Sequence, residues 1–220
     1  MDSKWFDEEY YTKGTKSGYG ATLQTLMARY TFCPANSPEY YESQMRAAIS
    51  IVTELHPKSV LDVGCAFGAV VKALRTLGVD AYGIDFSEYA ISHAEPELSP
   101  FLRVADATNL SVFADKQFDL SLCKDVLEHI PKSKVLSAVR EVCRVSSQYV
   151  MVFIPIVDNG LDPSHCTIES ADWWTDLFHA QGFVTHKSKI LTQLDDIISF
   201  VAQFRRFTFK YNSDKECTRF

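Results

Sequence analysis

The feature of this sequence that most restricts its fold is a regular alternation of short apolar runs with helix-like segments between residues 58 and 155. The apolar runs, such as VLDV at 60–63 and YVMVFIP at 149–155, have the length of strands and are apolar at nearly every position. Such runs are typical of strands that are buried on both faces. Segments with helical periodicity separate them, for example AVVKALRTLG at 69–78. The alternation predicts an α/β fold in which helices cover both faces of a doubly wound, mostly parallel sheet.

Both ends of the chain add to this core. Residues 38–55 have helical periodicity, with Ser37 as the cap and Pro38 in the first turn. The face that we expect this helix to bury consists of Met45, Ile49, Val52 and Leu55. The runs FVTHKSKILT and FRRFTFKYN near the C-terminus alternate like exposed strands, so we predict an antiparallel hairpin that completes seven strands. The predicted organisation is an N-terminal segment, 1–37, followed by a single domain, 38–220.

Composition excludes several classes of protein. The chain has 220 residues and a formal net charge of −6, and it has no dense Lys/Arg tract, which disfavours nucleic acid as a partner. No apolar run approaches the roughly 20 residues that span a bilayer, and the acidic N-terminus does not resemble a signal peptide. The six cysteines form no C-x-x-C pair. We therefore expect reduced thiols in a cytoplasmic protein, and both a monomer and a homodimer remain open.

The stretch VLDVGCAFG, residues 60–68, points to a ligand site at the carboxyl edge of the sheet. Gly64 and Gly68 lack a Cβ atom, so the backbone can turn sharply and approach a flat ligand. Asp85 follows about 20 residues later, which is where an acid contacts a ribose in dinucleotide folds. The spacing here is G-x-x-x-G, however, and Asp62 would repel a pyrophosphate. A nucleoside with a cationic amino-acid tail fits better, and a nicotinamide-dependent oxidoreductase is the alternative from a different class.

Four motifs in this sequence resemble those of class I S-adenosylmethionine-dependent methyltransferases. They are VLDVGCAFG, GIDFS, VADATNL and FDLSLCKDVLEHI, in the order and spacing of that family, across about 57–190. The resemblance implies a Rossmann-like fold, with S-adenosyl-L-methionine as cofactor and S-adenosyl-L-homocysteine as product. The cofactor-binding residues that it implies are Asp62, Gly64, Cys65, Ala66, Phe67, Gly68, Asp85, Phe86, Asp106, Ala107, Cys123 and Lys124.

The same resemblance implies individual roles. Asp62 would orient the glycine loop and the cofactor's amino group, and Asp85 would accept from both ribose hydroxyls. Phe86 would pack on the adenine, and Asp106 would accept from its amino group. The N-terminal segment would close over the cofactor as a lid. Its candidate cofactor-contacting residues are Tyr11 and Tyr19, with Tyr10 as a further member of the lid.

A hydroxyl acceptor must lose a proton, so a base is expected near the methyl group. The first candidate is His165, in the long loop 156–169 after the fifth strand, and the others are His129 and Asp125. The surrounding DPSH and WWTDLFHAQGF, and the N-terminal leader, resemble methyltransferases encoded with glycan and antibiotic-sugar biosynthesis.

The motif DVLEH allows a second interpretation. Asp125, Glu128 and His129 stand at i, i+3 and i+4, where one helical turn would bring them to one face. This trio resembles the acid-acid-His metal site of ubiquinone-pathway O-methyltransferases. Many metal-independent relatives carry LEH as well, so we predict no metal and keep a structural role for the histidine.

These features predict methyl transfer to a hydroxyl of a small molecule, with a sugar or glycan acceptor favoured. The closest alternative is N-methylation of a small amine or amino sugar. A non-catalytic protein that retains the fold is a further alternative. No N-P-P-Y or D-P-P-Y tetrapeptide follows the fourth strand, which argues against methylation of nucleic-acid amino groups.

Overall fold

The computed structural model describes residues 2–13, 37–157, 162–186 and 204–212. Its centre is a seven-stranded sheet in the order β3-β2-β1-β4-β5-β7-β6. The strands are β1 (Ser59–Val63), β2 (Asp80–Asp85), β3 (Leu102–Val104), β4 (Phe118–Lys124), β5 (Ser146–Pro155), β6 (Phe183–Thr185) and β7 (Phe204–Tyr211). The first five strands pair in parallel, and β7 is antiparallel to both β5 and β6. The predicted α/β fold with an antiparallel C-terminal pair is confirmed.

Helices flank this sheet. The α-helices are α1 (Pro38–Leu55), α2 (Ala69–Thr76), α3 (Glu88–Ser92), α4 (Lys132–Val145) and α5 (Ala171–His179). Short 3₁₀ turns occur at Ser3–Trp5, Pro96–Phe101 and Leu127–His129, and Glu9–Lys13 forms a π-helical turn. The predicted cap of α1 is present, since the hydroxyl of Ser37 accepts from a backbone N–H group at the start of that helix, and Ser87 caps α3 in the same way.

The sheet separates two hydrophobic cores. Leu74 of α2 packs in the first core together with residues of α1, and Val139 of α4 packs in the second together with residues of α5. Val60 belongs to the first core and its neighbour Leu61 to the second, because successive strand residues point to opposite faces. Both faces of the central strands are therefore buried, which explains why their sequences are apolar without alternation.

The predicted buried face of α1 is wrong in part. Leu55 is buried as expected, but Ile49 is 48% exposed. The buried residues of the helix are Gln44, Ala48, Ile51 and Leu55. Met45 and Val52 are partly buried and pack against the same core, so the prediction fails at Ile49 and misses Ala48 and Ile51.

The glycines of the loop after β1 leave room for the protein's own side chains. Gly64 has a φ of 80°, in the left-handed region, and a Cβ atom there would lie 2.1 Å from Cγ2 of Val126. Gly68 also has a φ of 80°, and its Cβ would lie 2.8 Å from Leu102. The bare backbone therefore serves the sharp turn, as predicted, and also the packing of β1 against its neighbours.

We expect Gly64→Ala to destabilise the fold more than Gly78→Ala. Gly78 has nearly the same φ, 82°, but nothing among the described residues lies within 4 Å of its Cβ position. Gly78→Ala should therefore cost only the backbone strain, about 1–2 kcal/mol, whereas Gly64→Ala adds an overpacking cost of about 1–3 kcal/mol. Urea denaturation of both variants measures the difference.

Val126→Ala provides the control for the packing contribution. Added to Gly64→Ala, it should recover part of the lost free energy of unfolding, because the clashing methyl group is removed. Equal losses for Gly64→Ala and Gly78→Ala would contradict the packing explanation.

Candidate functional site

The loop between β1 and α2 forms the floor of a site at the carboxyl edge of the sheet. The backbone N–H groups of Gly64 and Cys65 both donate to the carbonyl oxygen of Ile84, at 2.8 and 2.9 Å. The N–H of Gly68 then donates to the carbonyl of Cys65 at 2.8 Å, which closes the turn. Ala66, at the tip of the loop, has a φ of 48°. These bonds join the loop to the end of β2, so the glycine motif is presented beside Asp85.

The carboxylate of Asp85 connects three separate segments. Oδ2 accepts from the backbone N–H of Ala66 at 2.8 Å. Oδ1 accepts from the N–H of Ser87 at 2.8 Å and from the hydroxyl of Tyr11 at 3.3 Å. Burial raises the pKa of Asp85 above its usual value, and its backbone hydrogen bonds oppose that shift. The acid predicted to bind a ribose is thus already fixed in place by the protein.

A cavity of about 370 Å³ opens above this floor. Its walls come from the glycine loop, the ends of β2 and β4, the turns after β3 and β4, and the N-terminal segment. The residues that line it are Phe6, Tyr10, Tyr11, Tyr40, Asp62, Val63, Gly64, Cys65, Ala66, Ala69, Val70, Ile84, Asp85, Phe86, Ala105, Asp106, Ala107, Thr108, Lys124, Asp125, Val126, His129, Ile130, Pro131 and Lys134. This is the size range of pockets for small molecules.

Asp62 introduces a buried carboxyl group into this cavity. It is only 4% exposed, and burial raises its pKa to about 7, with Asp85 adding to the shift and Lys124 opposing it. The carboxyl group is therefore partly protonated at neutral pH. A cation bound near it would favour the ionised form.

The strand end that carries Lys124 supplies the opposite wall. The ammonium group of Lys124 lies 3.6 Å from the carboxylate of Asp125. Asp125 has a φ of 55°, in the left-handed region, which is uncommon for a residue other than glycine and is often found at functional sites. Its N–H donates to the carbonyl of Phe153 at 3.0 Å, so β5 holds this bend in place.

His129 lies at the other end of the cavity in a group of rings. Its ring centroid is 4.9 Å from that of His165, 5.5 Å from that of Phe6 and 6.3 Å from that of Tyr10. Nδ1 of His129 lies 2.8 Å from the hydroxyl of Ser164. Burial lowers the pKa of His129 to about 4, although nearby acids oppose the shift. The imidazole is therefore neutral at pH 7.

The expected arrangement of Asp125, Glu128 and His129 on one helical face is wrong. Leu127–His129 is a single 3₁₀ turn, and Asp125 precedes it with a left-handed backbone. Glu128 points inward and is fully buried, and neither carboxyl oxygen has a hydrogen-bond partner among the described residues. In the part of the chain that the structure describes, Glu128, His129 and His165 instead offer ligand atoms within 4.8 Å of one another.

Comparison with known proteins bears on this site. Residues 61–153 match a family described as a methyltransferase domain. That stretch includes the glycine loop, Asp85 and the strand end at Lys124.

Curated proteins are similar to part of this chain. The ubiquinone biosynthesis O-methyltransferase of Methylococcus capsulatus is 30% identical over 126 residues, which is 55% of this chain and 52% of that protein. The protein of the same name from Paraburkholderia phymatum is 36% identical over 87 residues, 37% of this chain and 38% of that protein. The chain thus spans about half, or less, of the length of these relatives.

Solved structures extend the likeness to the whole fold. Magnesium protoporphyrin IX methyltransferase from Synechocystis, with bound S-adenosylhomocysteine, has a TM-score of 0.62 at 15% identity over 96% of this chain and all of that one. A methyltransferase from Archaeoglobus fulgidus has a TM-score of 0.61 at 17% identity, over 79% of this chain and 94% of that one. The chain thus shares its α/β fold with these two methyltransferases, as the motifs indicated.

Most of the residues predicted to bind a cofactor line the cavity. They are Asp62, Gly64, Cys65, Ala66, Asp85, Phe86, Asp106, Ala107, Lys124 and Tyr11. Phe67, Gly68 and Cys123 do not line it. Phe67 packs on Tyr11, with ring centroids 5.3 Å apart, and Cys123 is buried in β4. Tyr19 lies outside the described residues. Their individual roles in binding stay predictions.

Two of the three predicted catalytic residues, Asp125 and His129, face the cavity. His165 lies beside His129 and is not among the lining residues, so its role as a base remains a prediction. Among the described residues, no helix combines the length and apolar character needed to cross a membrane.

Several residues of the site carry no signal of their own in the sequence. Phe6 and Tyr40 reach the cavity from the N-terminal segment and from α1. Asp162 and Ser164 contact Tyr10 and His129, although they are far from both in sequence. The DPSH motif indicated the correct loop, but the candidate residue that it suggested there was His165, not Ser164. Only a tertiary contact identifies the serine.

We expect the free energy of unfolding of the ligand-free protein to depend on pH because Asp62 is buried. The carboxyl group has a pKa of about 7 when folded and about 3.8 when unfolded. The unfolded state therefore ionises first, and stability is lost as the pH rises from about 4 to about 7. Asp62→Asn removes this loss. The free energy of unfolding of the variant should therefore rise relative to that of the wild type by up to about 4 kcal/mol between pH 4 and pH 7, and the difference should stay constant above pH 7.

Urea denaturation between pH 4 and 8 measures this difference, and Asp119→Asn is a control of opposite sign. Backbone and side-chain hydrogen bonds lower the pKa of Asp119 in spite of its partial burial. Asp119→Asn should therefore cost stability at neutral pH and less in acid. A pH-independent difference between Asp62→Asn and the wild type would contradict the raised pKa.

Proposed function

We propose that this protein binds S-adenosyl-L-methionine in the cavity and transfers its methyl group to a hydroxyl group of a small molecule. The observation that carries the proposal is the carboxylate of Asp85, held at the end of β2 by the glycine loop and facing the cavity. A buried carboxylate at this position suits a ribose diol. The match of residues 61–153 to a methyltransferase domain supports the same cofactor, and the solved neighbour from Synechocystis was also obtained with S-adenosylmethionine bound.

The cavity accommodates the parts of that cofactor in order along its length. Asp106 and Phe86 flank the adenine end, Asp85 takes the ribose, and Asp62 and the glycine loop receive the cationic amino-acid end. The sulfonium then lies between the glycine loop and the end of β4. A sulfonium methyl group is already activated, so the enzyme chiefly has to align the acceptor oxygen behind it.

The remaining part of the cavity favours an acceptor with a ring. Phe6, Tyr10 and Tyr40 contribute aromatic side chains there, and Ile130 and Pro131 contribute apolar ones. The curated relatives are named ubiquinone biosynthesis O-methyltransferases, which supports a hydroxyl on an aromatic ring. A sugar or glycan, suggested by the sequence motifs, is the second acceptor class, because aromatic faces also pack against sugar rings.

Hydride transfer with a nicotinamide cofactor fits this site less well. A dinucleotide places its pyrophosphate on the glycine loop, and here the buried carboxyl group of Asp62 faces the same space. Isothermal titration with NAD⁺, NADP⁺ and S-adenosylmethionine separates the two classes. Binding of a nicotinamide cofactor alone would refute the proposal.

We expect Asp85→Asn to weaken binding of S-adenosylmethionine by about 100-fold or more. The variant removes the charge that would accept from two ribose hydroxyls, and each such bond contributes about 1.5–3 kcal/mol. Isothermal titration of the purified protein with S-adenosylmethionine and S-adenosylhomocysteine measures the loss.

Asp80→Asn is the matched control because Asp80 lies at the other end of the same strand. It is exposed and pairs with Arg75 at 3.1 Å, so its replacement should leave affinity unchanged. Equal affinities for the wild type and Asp85→Asn would remove Asp85 from the cofactor site.

We expect Tyr11→Phe to strengthen cofactor binding. An ionised carboxylate offers about four lone pairs, and three donors already reach Asp85, from Ala66, Ser87 and Tyr11. At most one lone pair remains for a diol with two hydroxyls, so the Tyr11 hydroxyl has to yield. Removing one such bond should lower the Kd about 2- to 10-fold.

Phenylalanine keeps the ring that packs on Phe67, so Tyr11→Phe changes the hydroxyl alone. Tyr11→Leu is the companion variant, which also removes the ring. Weaker binding by Tyr11→Phe would show that the hydroxyl contacts the cofactor directly and would contradict the competition.

Methyl transfer itself is tested with labelled S-adenosylmethionine and a panel of acceptors. The panel contains catechols, monophenols, free sugars, glycosides and small amines. Turnover of a phenol or a sugar supports the proposal and separates the two acceptor classes. Turnover of amines alone would replace O-methylation with N-methylation.

A further inference from the structure

The loop 162–167 is bound tightly to the turn that carries His129. The N–H groups of Cys166 and Thr167 both donate to the carbonyl oxygen of Glu128, at 2.8 and 3.0 Å. The hydroxyl of Thr167 donates to the carbonyl of Ile130 at 2.7 Å. These bonds place the side chain of Ser164 against the ring of His129, and they determine which atoms of the two residues meet.

Asp162, Ser164 and His129 form a continuous chain of hydrogen bonds. Oδ1 of Asp162 accepts from the backbone N–H of Ser164 at 2.8 Å and from its hydroxyl at 2.5 Å. The oxygen of that hydroxyl lies 2.8 Å from Nδ1 of His129. Asp162 is 4% exposed and Ser164 is fully buried, so water does not compete for these bonds. Oδ2 of Asp162 accepts from the hydroxyl of Tyr10 at 3.3 Å.

Counting protons along this chain determines the tautomer of His129. A serine hydroxyl has one hydrogen, and that of Ser164 is donated to Asp162. The serine oxygen can then only accept from His129, so Nδ1 carries the proton of the neutral ring. Nε2 is left with a lone pair on a ring that lines the cavity.

We propose that Asp162 and Ser164 are positioning residues that hold His129 in the Nδ1-protonated tautomer, so that Nε2 is the base for the methyl acceptor. The inference rests on the proposed methyl transfer and adds the identity of the base and of the two residues that orient it. It selects His129 over His165, because the ring of His129 both faces the cavity and ends the hydrogen-bonded chain.

The reaction balances with these groups alone. The acceptor oxygen forms a bond to the methyl carbon as the carbon–sulfur bond breaks, and the electron pair of that bond neutralises the sulfonium. The proton of the acceptor hydroxyl moves to Nε2 of His129. The resulting imidazolium is stabilised by the Asp162 carboxylate through Ser164, and it returns its proton to solvent before the next turnover.

The charged and titratable neighbours of His129 are consistent with this role. Burial lowers its pKa to about 4, Asp162 and Asp125 oppose that shift, and His165 adds to it. The imidazole is thus unprotonated throughout the neutral range. Glu128 is buried beside the ring, and burial and Asp125 raise its pKa above the usual value.

Nitrogen NMR of the histidine rings tests the tautomer without any acceptor. The full chain is labelled with ¹⁵N-histidine, and His129 is assigned by its absence from the spectrum of His129→Gln. At pH 7 we expect protonated Nδ1 and unprotonated Nε2 in the wild type. Ser164→Ala removes the acceptor and should abolish this preference. An Nε2-protonated ring in the wild type would overturn the proposal, whether or not S-adenosylmethionine binds.

Thr167→Val is the matched control for Ser164→Ala. It removes a hydrogen bond of equal length that joins the same loop to the same turn, but it does not touch the His129 ring. It should lower the Tm and leave the tautomer unchanged. A tautomer change in Thr167→Val equal to that in Ser164→Ala would reduce the role of Ser164 to loop docking and overturn the proposal.

Steady-state kinetics with the best acceptor of the phenol and sugar panel test the base. His129→Gln should lower kcat about 100-fold or more. Asp162→Asn can still accept the backbone N–H of Ser164 but loses the charge, so it should lower kcat at least tenfold with little change in KM. In all variants, the Kd for S-adenosylmethionine should match that of the wild type.

Two kinetic outcomes would contradict the inference. Unchanged kcat in Asp162→Asn and Ser164→Ala would remove both as positioning residues. Loss of activity in EDTA, restored by Mg²⁺ or Zn²⁺, would assign Nε2 of His129 to a metal ion held with Glu128 and His165 and would overturn its role as base. Failure of S-adenosylmethionine to bind the wild type would instead refute the proposed function.

Discussion

The carboxylate of Asp85 is the point on which the site's geometry depends. It binds the N–H of Ala66 in the glycine loop, the N–H of Ser87 at the start of α3, and the hydroxyl of Tyr11 in the N-terminal segment. Those three segments enclose one end of the cavity. Because the group is buried, its hydrogen bonds are not screened by water, and an unsatisfied charge there would be costly. The same acid therefore organises the apo site and forms part of the predicted ligand contact.

The sequence predicted well which residues line the cavity beside Asp85, because that end is built from local motifs. Gly64, Asp62 and Asp85 lie at strand ends, and the order of strands in a doubly wound sheet brings those ends together. The sequence explained only one of the two reasons why residue 64 is a glycine. A left-handed turn follows from the residue type, but the clash with Val126 depends on a residue 62 positions away in the chain, at the end of a neighbouring strand.

The contacts at the His129 end of the cavity were not predicted, for a physical reason. It is formed by contacts between segments far apart in sequence, such as Tyr10 with Asp162 and Ser164 with His129. No periodicity or spacing encodes these pairs. The motif DVLEH also suggested a regular helical turn, whereas the chain bends at Asp125 and makes only a 3₁₀ turn before Pro131. Asp125 and Glu128 consequently point in different directions, one toward the cavity and one into the protein.

The two ends of the cavity are joined by adjacent tyrosines. Tyr10 donates to Asp162, which orients the His129 end, and Tyr11 donates to Asp85 at the ribose end. Their rings also contact each other, with centroids 5.1 Å apart. The proposed ribose contact at Asp85 would therefore compete with a hydrogen bond from the segment that also contacts Asp162. One short turn therefore contacts both acids, Asp85 and Asp162.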